Sequence, residues 1–105
     1  MALGNAPVLE TLLDINAVSV ARTELDAQSL VAIRLAALVA VDAPVQSYLL
    51  HFGPAAEAGV TLEDAQEILV AVAPIVGTAR TLSAAGKIVE ALDLAIDMVL
   101  DSEDD

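Results

Sequence analysis

The chain has 105 residues and a net charge of −12; 57% of its residues are hydrophobic, 2% are aromatic, and there is no cysteine. This length predicts one domain, residues 1–105, with a core built from aliphatic side chains. The acidic charge argues against nucleic acid and anionic membrane surfaces as partners, and the lack of cysteine excludes disulfides and thiol chemistry.

The first predicted helix is "NAPVLETLLDINAVSVA", with Asn5 as its cap and Pro7 near its first turn. Its apolar stripe consists of Val8, Leu12, Ile15 and Val18. The second helix lies in "LDAQSLVAIRLAALVAV" and starts behind Asp26. It is apolar on nearly every face except at Arg34, which predicts a central position in the fold.

The third predicted helix begins at residues 42–44 and ends before Gly59, which suits the left-handed position after a helix terminus. This helix contains the only histidine, His51, and Pro54 follows three residues later. A proline inside a helix removes one main-chain hydrogen bond and crowds a carbonyl. We therefore expect a kink or break just after His51.

The fourth predicted helix opens with Thr61 as its cap and Asp64 as the acid of a capping box, and Pro74 is expected to bend or end it. The fifth runs from about Ala79 to Leu100. Its apolar spacing predicts burial of five residues, namely Ile88, Val89, Leu92, Ile96 and Val99. The acidic tail, residues 101–105, is expected to fray because helix carboxyl ends disfavour negative charge.

These elements predict an all-α fold, a single-domain bundle of about five helices. No apolar run reaches the ~18 residues of a spanning helix, and the amino terminus lacks a leader pattern, so we expect a cytoplasmic protein. The aliphatic excess exceeds what so small a chain can bury, which predicts self-association.

The ordered motifs resemble the carboxymuconolactone decarboxylase family, which includes the alkyl hydroperoxidase D proteins. The resemblance spans roughly residues 8–95. It is carried by five motifs in order, Leu25–Asp26, His51, "GVT" at 59–61, Glu63–Asp64 and Gly77. It implies an alkyl hydroperoxidase D-like helical domain that assembles as a homo-trimer or homo-hexamer, with sites near the subunit contacts.

The chain departs from the hydroperoxidase members of that family at the positions that carry their chemistry. Pro44 and Ser47 stand where those members have two cysteines, and Ala32 or Val31 stands at the place of their glutamate. Dithiol reduction of a peroxide needs a thiolate and a resolving partner. The sequence therefore excludes thiol peroxidase activity.

The decarboxylase branch needs no cysteine, and it implies lyase-like acid/base chemistry on a small molecule without a cofactor or metal. His51 is the candidate proton donor or acceptor, and Arg34 and Arg80 are candidate substrate-binding cations for carboxylates. Ser47 and Tyr48, close to His51 on the same helix, complete the candidate catalytic set.

Each candidate also has a structural interpretation. His51 can be a packed residue with both nitrogens satisfied, and Tyr48 can fill the core or close a pocket. Ser47 lies one turn before His51, but no acid is placed to orient the imidazole as a nucleophile–base pair requires. Arg34 is expected to pair with an acid on another helix or another subunit, with Asp42 and Glu57 as plausible partners. Arg80 can likewise be structural.

Two hypotheses follow. The first is a small-molecule enzyme that uses His51. The alternative is a non-catalytic member of the family that serves as an oligomeric scaffold or binds a ligand or protein partner.

Overall fold

A computed structural model describes the backbone of residues 2–104 and the side chains of residues 6–101. The described chain forms five helices, α1 (Ala2–Arg22), α2 (Ala27–Ala40), α3 (Val45–Glu57), α4 (Leu62–Val76) and α5 (Thr78–Asp104). No strand occurs among these residues, which confirms the predicted all-α bundle. None of the described helices is long and apolar enough to cross a membrane.

Local polar signals set the amino-terminal ends of α2 and α4. The carboxylate of Asp26 accepts a 2.7 Å hydrogen bond from the amide of Ser29. Thr61 and Asp64 form the predicted capping box, in which each side chain accepts a bond from the other residue's amide. These contacts satisfy amides that a helix start leaves without partners, so both helices begin where the sequence predicts.

Both α2 and α3 end in a Schellman turn. The amide of the second residue past the cap, Ala43 or Val60, donates to a carbonyl five residues earlier, at 3.0 or 2.9 Å. The residue before it takes the left-handed conformation, with φ of 54° at Asp42 and 79° at Gly59. The sequence predicts Gly59 in this position, but Asp42 is a departure because aspartate adopts it less readily than glycine.

The internal prolines do not end their helices. Helix α3 runs continuously through Pro54, and α4 continues past Pro74 to Val76. The prediction that a helix breaks or ends at either proline is therefore wrong. The residues whose carbonyls lose a partner, Leu50 and Val70, are 68% and 70% exposed. Because that side of each helix faces solvent, water can hydrogen-bond the freed carbonyl.

Helix α1 also differs from its predicted start. It begins at Ala2, so Asn5 lies inside the helix instead of capping it, and Pro7 is an internal residue. The side chain of Asn5 lies outside the described side chains.

Helix α2 lies at the centre of the bundle and packs against α3, α4 and α5, as its apolar surface predicts. It contributes Val31, Leu35 and Val39 to the core, opposite Tyr48 and a buried stripe of α5. That stripe consists of Ala84, Ile88 and Ala91, spaced by four and three residues.

Burial on α5 is narrower than its sequence predicts. Ile88 is buried and Leu92 is half-buried, as expected. Val89, Ile96 and Val99 are 58%, 48% and 57% exposed, so their predicted burial within one chain is wrong. Helix α5 is about twice as long as α3, and its side chains from residue 96 to residue 100 are all exposed. Residues 101–104, predicted to fray, belong to α5, and Asp105 lies outside the described residues.

Helix α1 stands apart from this core. All described side chains of α1, residues 6–22, are exposed, and no other described helix packs closely against its backbone. It is joined to α2 through side-chain hydrogen bonds made by Arg34.

Candidate functional site

A cavity of about 290 Å³ lies between α2, α3, α4 and α5, and its walls are largely apolar. The larger apolar side chains that line it are Val31, Leu35, Phe52, Val60, Leu62, Ile88 and Leu92. The lining residues Ala56, Thr61 and Leu62 are exposed, which puts the mouth of the cavity at the junction of α3 and α4. A concave, mostly apolar space with few polar groups is typical of a small-molecule site.

His51 lies in the wall of this cavity and is half-buried. Its Nδ1 atom is 2.7 Å from the backbone carbonyl of Ser47, one turn earlier in α3. A carbonyl only accepts hydrogen bonds, so Nδ1 carries the proton and donates it. In the neutral imidazole Nε2 is then the basic nitrogen, and it has no hydrogen-bond partner among the described residues.

Ser47 does not act on His51 through its hydroxyl. The imidazole contacts the backbone carbonyl of Ser47, and Ser47 is not part of the cavity wall. A nucleophile–base pair needs the hydroxyl within hydrogen-bond reach of the imidazole. The contact therefore orients His51 through the main chain and gives no support to Ser47 as a nucleophile.

Tyr48 is fully buried in the core, and it also forms part of the cavity wall. Its hydroxyl is buried and has no hydrogen-bond partner among the described residues. Burial, with a smaller contribution from the charge of Asp42, raises the pKa of the Tyr48 hydroxyl. The phenol therefore stays protonated at neutral pH. Its position agrees with both structural interpretations, because the ring belongs to the core and also borders the cavity.

Arg34 lies away from the cavity. Its guanidinium donates to the side-chain amide oxygen of Asn16 and to the hydroxyl of Ser19 at 2.9 Å, both on α1. Within one chain the expected ion pair with Asp42 or Glu57 is wrong, because Arg34 donates to neutral groups of α1 instead.

Arg80 and Lys87 are also engaged elsewhere. Arg80 donates to the carbonyl of Ala40 at the end of α2, at 2.8 Å. Lys87 forms an ion pair of 2.9 Å with Asp42 and donates to the carbonyl of Ala43. Neither residue lines the cavity, so the structure does not bring the predicted cations Arg34 and Arg80 together with His51.

Two further features bear on chemistry. A second, shallower depression of about 360 Å³ is lined by Gln28, Ser29, Ala32, Val60, Asp64, Glu67 and Ile68. Its Asp64 is held in the capping box of α4. Over the described residues, no group of three or more histidine, aspartate or glutamate side chains is arranged to hold a metal ion.

The sequence does not identify Thr61 as part of the site. Thr61 caps α4, and it also lines the cavity near its mouth. Its Oγ1 atom accepts the amide of Asp64 at 3.1 Å, and its own hydroxyl proton has no acceptor among the described residues. The cap signal is visible in the sequence, but its position next to the cavity depends on how α3 turns into α4.

Comparison with known proteins gives no matching family model, no matching curated protein and no matching solved structure. The resemblance to the carboxymuconolactone decarboxylase family therefore stays a prediction that rests on the sequence motifs.

Proposed function

We propose that the chain is a carboxymuconolactone decarboxylase-like protein that binds a small molecule in the apolar cavity and exchanges a proton with it through His51. The ordered motifs around His51, Gly59 and Thr61 support the family assignment. A cytoplasmic location, expected from the sequence, belongs to the same proposal.

One observation carries the proposal of acid/base chemistry. His51 lines the cavity with Nδ1 held by the carbonyl of Ser47, which leaves Nε2 as a free base. A base of this kind can take a proton from a carbon next to a carbonyl group, and the electron pair then moves to the carbonyl oxygen as an enolate. The free hydroxyl proton of Thr61 is a donor for an oxygen bound near the cavity mouth.

The test is solvent exchange in D₂O with a panel of small unsaturated lactones and cyclic ketones. Proton NMR follows the loss of signal at the carbon next to the carbonyl. We expect wild-type protein to catalyse exchange with at least one compound, and we expect His51→Gln to abolish it because the amide cannot carry the proton.

Ser47→Ala is the matched control, because it removes the hydroxyl but keeps the backbone carbonyl that holds Nδ1. Exchange should proceed at the wild-type rate in this variant. Equal exchange rates in wild type and His51→Gln would contradict the proton-carrier role. Loss of exchange in Ser47→Ala would instead favour a role for the hydroxyl.

A second candidate function is binding without turnover. It is favoured by the positions of Arg34 and Arg80, which donate to α1 and to the end of α2 instead of lining the cavity. In that case the same compounds would bind to wild type and to His51→Gln, and neither protein would accelerate exchange.

We also propose that the chain forms a homo-oligomer, with a trimer or hexamer as the form that the family resemblance implies, and that α1 lies in its interface. Seven large aliphatic side chains of α1 are 49–64% exposed, namely Val8, Leu9, Leu12, Leu13, Ile15, Val18 and Val20. Apolar helix surfaces of this extent are normally covered in soluble proteins.

The occupant that we propose for this surface is a second copy of the chain. The charge of −12 opposes self-association, but the described part of α1 carries only two acids, Glu10 and Asp14, and one base, Arg22. With two acids and one base this part of α1 has a net charge of −1, so pairing through α1 brings together surfaces of low charge, and the exposed aliphatic residues of α5 offer a complementary face.

Light scattering tests this proposal. We expect a mass that is a multiple of 10.8 kDa, lowered in Leu12→Glu and unchanged in Gln66→Glu, which adds the same charge to an exposed position of α4. A wild-type monomer at micromolar concentration would refute self-association, and an equal mass for both variants would refute the role of α1.

A further inference from the structure

We infer that the cavity takes a neutral, largely hydrocarbon molecule that offers a proton to Nε2 of His51, and that it does not take a carboxylate. The inference rests on the proposed function, since it names the class of ligand for the same cavity.

The distribution of positive charge argues against an anionic ligand. Arg34, Arg80 and Lys87 each donate to groups outside the cavity, and Arg22 lies at the end of α1. These four are the only lysines and arginines of the chain. A carboxylate in an aliphatic cavity would lose its hydration without gaining a counter-ion, and the overall charge of −12 would oppose its approach.

The hydrogen-bonding state of His51 determines which polar group a ligand needs. Because Nδ1 donates to the carbonyl of Ser47, Nε2 of the neutral imidazole accepts. A ligand with an O–H or N–H group, or with an acidic C–H, satisfies this nitrogen. Thr61 offers the complementary donor, because Oγ1 already accepts the amide of Asp64 while its proton is free.

The rest of the cavity wall is mainly apolar, so a ligand that fills the cavity needs a hydrocarbon body. Val31, Leu35, Ile88 and Leu92 face the cavity together with small alanines. The cavity of about 290 Å³ lies just below the ~300–1,000 Å³ typical of ligand sites. A single alicyclic ring with one polar substituent suits this volume and wall.

Three matched probes test the inference on the full chain: cyclohexylmethanol, its methyl ether and cyclohexanecarboxylate. They share one ring and differ in the polar group. The protein is labelled with ¹⁵N, and because it contains one histidine, the Nε2 resonance of His51 is unambiguous. Methyl resonances of Ile88 and Leu92 report occupancy of the cavity.

We expect saturable binding of the alcohol with a shift of the Nε2 resonance, and affinity at least tenfold above that of the carboxylate. The ether should move the methyl resonances with a much smaller Nε2 shift, since it has no proton to offer. Ala95→Leu, which fills part of the cavity wall, should weaken binding of the alcohol.

The failures are distinguishable. Preferential binding of the carboxylate would overturn the ligand class and leave the proposed use of the cavity in place. Binding of the ether as tightly as the alcohol would overturn the role of Nε2 as acceptor. No shift with any probe at millimolar concentration would overturn this inference, and the D₂O exchange assay would then decide the proposed function separately.

Discussion

The Nζ atom of Lys87 lies 2.9 Å from Oδ1 of Asp42 and 2.9 Å from the carbonyl of Ala43. These contacts join α5 to the turn between α2 and α3. Ser83, one turn before Lys87, donates to the same carboxylate oxygen at 2.8 Å. Asp42 thus holds together three helices from a left-handed backbone position that is more often occupied by glycine.

The Asp42 contacts predict a pH-dependent contribution to stability. The hydrogen bond from Lys87 and then that from Ser83 lower the pKa of Asp42 below its ordinary value of 3.8. A carboxyl with a lowered pKa in the folded state stabilises the protein fully above the ordinary value, and this contribution is lost as the pH falls through the folded value. We expect Asp42→Asn to lower Tm at pH 7 and to have little effect near pH 2.

Circular dichroism melts of both proteins between pH 7 and pH 2 measure this difference. Glu90→Gln, at an exposed position on α5, changes the net charge by the same amount and checks that charge alone does not produce the difference. A Tm difference that stayed constant across the range would contradict the ion pair as its source.

Two glycines should respond in opposite directions to the same substitution. Gly59 has a φ of 79°, so Gly59→Ala is expected to destabilise the protein by about 1–2 kcal/mol. Gly86 lies within α5 with no atom within 4 Å of an added Cβ, so Gly86→Ala should stabilise it by about 0.5–1 kcal/mol. Urea denaturation measures both; a stabilising Gly59→Ala would show that the turn after α3 differs from the one described.

The unpaired hydroxyl of Tyr48 predicts an unusual response to its removal. Tyr48→Phe keeps the ring and removes a buried group without a described partner, so stability should stay the same or rise by up to about 1 kcal/mol. Tyr48→Ala removes the ring from the core and should cost about 3–5 kcal/mol. Thermal denaturation compares the two, and a Phe variant that is clearly less stable would indicate a bound water or other partner on the hydroxyl.

Arg34 provides the hydrogen bonds that join α1 to α2, which predicts a local effect of its loss. We expect Arg34→Met to accelerate amide hydrogen exchange in α1, because the bonds to Asn16 and Ser19 disappear, while α2 stays protected. Arg80→Met removes the same charge from a different contact and is the control. Unchanged exchange in α1 would mean that other contacts hold it in place.

The helices and most of their ends could be predicted because their signals are local. Asp26, Thr61 with Asp64, and Gly59 act on amides or backbone angles within a few residues of themselves. The prolines led to wrong predictions because their effect depends on exposure. Pro54 and Pro74 leave carbonyls free on solvent-facing sides of α3 and α4, where the helix tolerates the loss.

The site could be predicted only in part, because its partners are distant in the chain. His51 lies in a cavity wall, but the groups that surround it come from four helices. Arg34 donates to Asn16 and Ser19 of α1, 18 and 15 positions away, and Lys87 pairs with Asp42 across 45 positions of sequence. No spacing within one helix carries information about either contact.

The burial of Tyr48 has a consequence for optical spectroscopy. The chain contains one tyrosine and no tryptophan, and that tyrosine is fully buried where α3 meets the core. Near-ultraviolet emission therefore comes from a single interior position, without contributions from the surface. Unfolding of the bundle exposes this phenol to water, so intrinsic fluorescence can follow loss of the core without an attached dye.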